Sequence, residues 1–225
     1  MKKGSVFGYN IPMKSIKNEA AVYCPNKCEE FDVEYWSFIS ADQDPDLKAA
    51  AMGGELNLVQ CPQCGMFFHH DGDLIYLDAP AELLLFVFSE KNRSHEKELR
   101  TRMQRDYEII KNTLEKQLQM DYPPICVFGL EALKDVLQRE EKQAFESEAV
   151  AAASAEQGFG VVRLKPSYAR EHHFPYYVPV PEGKRTPNAY AVAASKVLRS
   201  GLKSPLLTNF KDQMSQEGVA VPLTL

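Results

Sequence analysis

The sequence predicts an α+β protein, on three observations. Four cysteines fall in two short clusters, Cys24-Pro25-Asn26-Lys27-Cys28 and Cys61-Pro62-Gln63-Cys64-Gly65. Around them, apolar and polar residues alternate at period two, the pattern of half-buried strands. From Ser94 onward the period lengthens to that of amphipathic helices. The expected architecture is a metal-stapled antiparallel sheet with packed helices, followed by a proline-rich and helical C-terminal part.

Residues 1–19 show no period and read as a lead-in, with Val6, Phe7 and Tyr9 as a candidate edge strand. Order is expected from Ala20 to Tyr23, which runs into the first cysteine cluster. Phe31, Val33 and Tyr35 then alternate with Asp32, Glu34 and Trp36, predicting a strand with the single tryptophan on its more polar face, core or covered surface. Asp44-Pro45-Asp46 is a helix start, with Asp44 as cap, and Gly53-Gly54 stops the helix. Glu55 to Gln60 alternates again and enters the second cluster as a strand.

Met66 to His70 and Leu74 to Leu77 flank Asp71-Gly72, a pair suited to a type I′ hairpin turn. Asp71 and Asp73 are explained as turn residues. Leu83 to Phe88 is apolar on both faces, as a central covered strand must be. Its cover is expected from the helix over Ser94 to Met120, where Leu99, Met103, Tyr107, Ile110, Leu114 and Leu118 form one stripe and Ser94 serves as N-cap. Pro123-Pro124 ends that helix, Ile125 to Phe128 is a short strand, and a second helix runs from Gly129 to about Gln157. Prolines then argue against long regular elements until Asn188. A helix ended by Gly201, another around Leu206 to Met214, and a strand or tail from Gly218 complete the chain.

The expected organisation is therefore a lead-in over 1–19, a metal-bearing β domain over 20–92, a helical part over 93–157 packing on the sheet, and a basic, proline-rich segment over 158–225. Apolar content of 44% and charged content of 25% exclude disorder throughout. Charge is distributed unevenly. Between Gly160 and Lys203, eight basic residues face Glu171 and Glu182, a net of +6 in a chain of net charge −5.

The strongest chemical signal is the cysteines. Thiolate is a soft ligand, four close a tetrahedral shell, and Cys-Pro turns aim paired sulfurs at one ion. Cys24, Cys28, Cys61 and Cys64 are thus the expected ligands of one zinc ion. Four protein ligands leave no position for water or substrate, so this cofactor is expected to be structural. His69 is the alternative fourth ligand in place of Cys28, while His70 points to the opposite face of its strand. The two knuckles, Asp44-Pro45, Gly54-Glu55-Leu56-Asn57 and Tyr76-Leu77-Asp78 together resemble the CpXC domain family. The likeness covers residues 20–90 and extends through the helices to 140. It departs from the family by the residue inserted in the first knuckle. It implies a zinc-ribbon-like metal site in a prokaryotic protein and supplies no substrate.

Cys126 sits in an apolar strand and reads as a buried, inert thiol. His172-His173-Phe174-Pro175-Tyr176-Tyr177, near Arg170 and Lys165, has the mix of cations and aromatics that grips phosphates and stacks bases. The competing reading has these aromatics anchoring the proline-rich segment. No nucleophile–base pair is recognisable, so an enzyme ranks last. No apolar stretch suits a signal peptide or a membrane span. The expectation is a cytoplasmic interaction or scaffold protein with a protein partner or self-association. The alternative is nucleic-acid binding through the basic 161–203 segment.

Overall fold

Strand β6 (Leu83–Phe88) is buried at every residue, and the chain from residue 14 to 135 is arranged around it. The computed structural model describes residues 14–114, 120–183 and 185–216. Two compact units divide within the long helix α3 (Gly129–Glu156), one comprising residues 1–135 and the other 136–225. The candidate edge strand at Val6, Phe7 and Tyr9, the stripe residue Leu118 of the helix expected to reach Met120, and the strand or tail from Gly218 lie outside the described residues, while Met120 itself is not helical.

The first unit is built on β1 (Ile16–Val22), β2 (Phe31–Ser40), β5 (Leu74–Asp78), β6 and β7 (Ile125–Phe128), in the order β1-β2-β5-β6-β7. The α+β class holds, but this sheet is mixed where antiparallel pairing was expected. β1–β2 and β5–β6 are antiparallel; β2–β5 and β6–β7 are parallel. Parallel neighbours need a long crossover. The first carries α1 (Pro45–Gly53) and a separate two-stranded sheet of β3 (Leu58–Gln60) and β4 (Phe67–His69). The second carries α2 (Glu96–Leu114), which is preceded by a 3₁₀ stretch at Glu90–His95 rather than an N-cap at Ser94. Met103 and Tyr107 of α2 join Leu84, Phe86 and Phe88 in one core, as the apolar stripe predicted.

The hairpin expected around Asp71-Gly72 does not form. β4 pairs with β3, and β5 leaves for the main sheet, so residues 70–73 link two sheets. Gly72 serves close approach instead of positive φ: a Cβ there would lie 2.6 Å from His70 Nε2 and 2.9 Å from the Tyr35 ring. Asp71 and Asp73 act at long range. Asp71 Oδ2 accepts from the Ser89 hydroxyl at 2.7 Å and from Glu90 N–H at 2.9 Å; Asp73 pairs with Arg102 at 3.3 Å. Asp44 precedes α1, yet its side chain caps nothing and accepts Ser15 N–H at 3.2 Å. The strand expected over Glu55–Gln60 shortens to Leu58–Gln60, because Asn57 turns into the left-handed region at φ 55°.

In the second unit, β8 (Val161–Arg163) pairs with β9 (Tyr177–Pro179) around α4 (Pro166–His172), and α5 (Pro187–Arg199) and α6 (Pro205–Met214) follow. Val150 and Ala153 of α3 pack with Phe174, Tyr190, Val197 and Phe210 in its core. The alanine-rich half of α3 thus packs closely rather than projecting, with Ser147 and Ser154 fully buried. Two acids on α3 receive the chain that returns to it. Glu140 pairs with Arg170 through both oxygens, at 2.6 and 3.1 Å, and accepts the Tyr176 hydroxyl at 2.7 Å. Glu146 accepts Leu206 N–H at 2.8 Å, at the first turn of α6.

Candidate metal centre

Each half of the cysteine cluster is the end of a strand that turns sharply. β1 runs into Cys24, and Pro25-Asn26 form a turn closed by Lys27 N–H to Cys24 C=O at 2.9 Å. β3 runs into Cys61, whose N–H donates to Met66 C=O at 2.8 Å, while Gly65 N–H donates to Cys61 C=O at 2.9 Å. Both turns end in a residue at positive φ, Lys27 at 60° and Gly65 at 74°. In the second knuckle that residue is a glycine following the second cysteine. In the first it is a lysine preceding the second cysteine.

The turns bring four sulfurs together although 32 residues separate the halves. All four Sγ atoms lie within 4.8 Å of one another, and Cys24 Sγ is 3.6 Å from Cys64 Sγ. Zinc–thiolate bonds of about 2.3 Å in a tetrahedron place sulfurs about 3.8 Å apart, so the donor set fits such an ion. Cys24 and Cys61 are buried, Cys28 is half-buried and Cys64 is exposed.

The electrostatics of the knuckles are uneven. The Met66 backbone N–H, ahead of the Asn26 amide, stabilises the Cys64 thiolate and holds its pKa at about 6 against the effect of burial. Cys28 is pushed up to about 12, first by its contact with Cys64 and then by burial. Cys24 is raised, chiefly by burial. One easily ionised thiol beside two reluctant ones is the state a divalent cation converts, since coordination drives the remaining protons off.

Two residues within the clusters, to which the spacing assigns no role, tie the halves to each other. Asn26 donates its backbone N–H to Cys24 Sγ at 3.4 Å and its side-chain amide to Cys64 Sγ at 3.6 Å. Gln63 Oε1 accepts Glu29 N–H at 3.2 Å. Both sit at the variable position of a Cys-Pro-x turn, the available signal for them. Such partners orient sulfurs and share their charge.

The remaining candidates stand elsewhere. His69 Nε2 bonds Gly54 C=O at 2.8 Å and lies outside the sulfur cluster. His70 packs on Tyr35 with ring centroids 4.4 Å apart, and burial lowers its pKa. Cys126 is half-buried on β7, its thiol raised by burial although Arg100 acts against that. Trp36 is half-buried with Lys17 Nζ 5.0 Å from its ring centroid.

A family model described as CpXC protein matches residues 22–143, over half the chain, and includes all four cysteines. No curated protein and no solved structure gives a significant match.

Proposed function

Starting from a chain that belongs to the CpXC family, we propose that its four thiolates hold one zinc ion as a structural staple and that the protein works as an interaction or scaffold module. The observation that carries the zinc assignment is the mutual approach of four sulfurs within 4.8 Å, from two knuckles of different strands. Soft donors select zinc over hard cations, and four of them leave no coordination site for catalysis. Such an ion contributes roughly 10–16 kcal/mol of apparent binding free energy, which is coupled to folding.

A protein partner is favoured over nucleic acid by the fate of the aromatics in the basic segment. Phe174 is fully buried, His172 stacks on Tyr168 at 4.0 Å, and Tyr176 gives its hydroxyl to Glu140. These rings support the unit's interior and are not free to stack bases. Arg170 is likewise engaged with Glu140. The exposed cations Arg163, Arg185, Arg199 and Lys203 are the surface we assign to an acidic partner. Among the described residues no helix is long and apolar enough to cross a membrane; we place the protein in the cytoplasm, where thiols stay reduced.

Metal analysis of protein purified without chelator tests the staple. About one zinc per chain is expected, and less than half an equivalent contradicts it. For the interaction, charge reversal at Arg163, Arg185, Arg199 and Lys203 is expected to abolish capture of the native partner while leaving metal content intact. Unchanged capture removes the basic surface from consideration, and salt-sensitive retention on RNA would favour nucleic acid instead.

A further inference from the structure

We infer that the outer edge of β1 pairs with β1 of a second copy of this chain, antiparallel and centred on Asn18. β1 is the terminal strand of the five-stranded sheet, and among the described residues β2 is its one strand neighbour. Its seven residues include no proline, and it is paired with β2 along its whole length. The N–H and C=O groups on its far side are thus a template for one more strand.

The charges on β1 select the occupant. The register with β2 sets Glu19 directly opposite Glu34, a like-charge cross-strand pair that opposes sheet formation. Lys17 lies opposite Trp36 and reaches Glu34 at 2.9 Å, and no cation among the described residues pairs with Glu19. An antiparallel strand of the same sequence centred on Asn18 sets Lys17 of the partner subunit opposite Glu19, and by symmetry Glu19 of the partner subunit opposite Lys17. Other registers lose this match. Centred on Glu19, the two carboxylates face each other and Lys17 faces Ala21. Centred on Lys17, the two ammonium groups face each other and Glu19 faces Ser15. The strand is self-complementary in a single alignment, and a two-fold contact requires that property of a surface.

This pairing goes beyond the zinc reading and does not depend on it, since β1 ends at Val22 before the first thiol. Zinc content measured on every sample separates the two. Sedimentation equilibrium of the full chain over a concentration series tests it, with circular dichroism to follow folding. The wild type is expected to dimerise. Glu19→Lys is expected to weaken the dimer roughly tenfold or more, because two like-charge contacts replace two opposite-charge ones. The same change puts a cation opposite Glu34, so the β1–β2 pairing survives. The double variant Lys17→Glu/Glu19→Lys is again self-complementary about Asn18 and is expected to recover wild-type affinity. A wild type that stays monomeric, as it would if this edge served a different protein, overturns the inference. So does a Glu19→Lys dimer as tight as wild type, or a folded double variant no tighter than the single.

Discussion

Asn57 grips both backbone groups of Trp36: its Oδ1 accepts the Trp36 N–H at 2.8 Å and its Nδ2 donates to the Trp36 C=O at 3.0 Å. β2 pairs with β5 only through Phe38 to Ser40, so at Trp36 its inner edge has no strand beside it. The side-chain amide, which offers the same donor and acceptor as a peptide, stands in for that strand. Asn57 can do so because it adopts φ 55°, a conformation asparagine tolerates better than most residues. Its own C=O accepts His70 N–H at 2.9 Å, so a single residue ties the segment between α1 and β3 to β2 and to the residue that follows β4.

Asn57→Ala is expected to lower the unfolding free energy by about 2–4 kcal/mol, from two lost hydrogen bonds and a left-handed alanine. Asn57→Gly keeps the backbone conformation and is expected to cost about 1 kcal/mol less. Urea titration of the metal-loaded variants gives both values. Equal losses would show that the conformational contribution is absent.

Lys27→Gly is expected to stabilise the metal-loaded protein by about 0.5–1 kcal/mol. The left-handed position costs a lysine more than a glycine, and this gain exceeds the glycine's greater freedom when unfolded. Thermal melting that shows no gain would place the strain elsewhere.

Removing the metal with a chelator is expected to expose the two knuckles first. Hydrogen exchange should rise at the amides of Lys27, Cys61 and Gly65, whose hydrogen bonds close the turns. The amides of α5 and α6, in the second unit with its own core, should keep their protection. Uniform loss of protection across the chain would contradict a local staple.

His70 is half-buried against Tyr35, and its pKa is depressed below the ordinary 6.5, mainly by burial and less by Lys91, with Asp71 opposing. The folded state therefore prefers the neutral ring. Its contribution is present above the unfolded pKa and is lost as pH falls through the lower folded pKa. The difference in stability between wild type and His70→Gln should accordingly shift against the wild type as the pH drops below about 6.5. A difference that stays constant with pH would show that this ring does not titrate on unfolding.

Glu140 holds Arg170 and Tyr176 together, with the two charged side chains 14% and 20% exposed. Glu140→Ala is expected to cost about 2–4 kcal/mol in the second unit, since it removes the bidentate carboxylate from a largely desolvated guanidinium. Glu140→Gln should recover part of that by keeping a hydrogen bond to Tyr176. Denaturation monitored in the second unit distinguishes these outcomes.

The sequence alone determined the local choices: four thiols at metal-ligand spacing, the two-faced apolar run at Leu83 to Phe88, the stripe on α2 and the proline and glycine stops. Each depends on chemistry within a few residues, which is why each was legible. Tertiary structure decided what those pieces pair with. Asp71-Gly72 has the chemistry of a hairpin turn, yet β3 and β5's other neighbours compete for the flanking strands and win, and two antiparallel pairs become a mixed sheet and a separate ribbon. Asp44, Asp71 and Asp73 have the chemistry of caps and turns, yet donors 16 to 29 residues away claim their oxygens. Asn57 carries no sequence signal for its task, because the groups it satisfies belong to a strand 21 residues earlier. Spacing singled out the four cysteines, but long-range contacts alone bring two knuckles to a common centre.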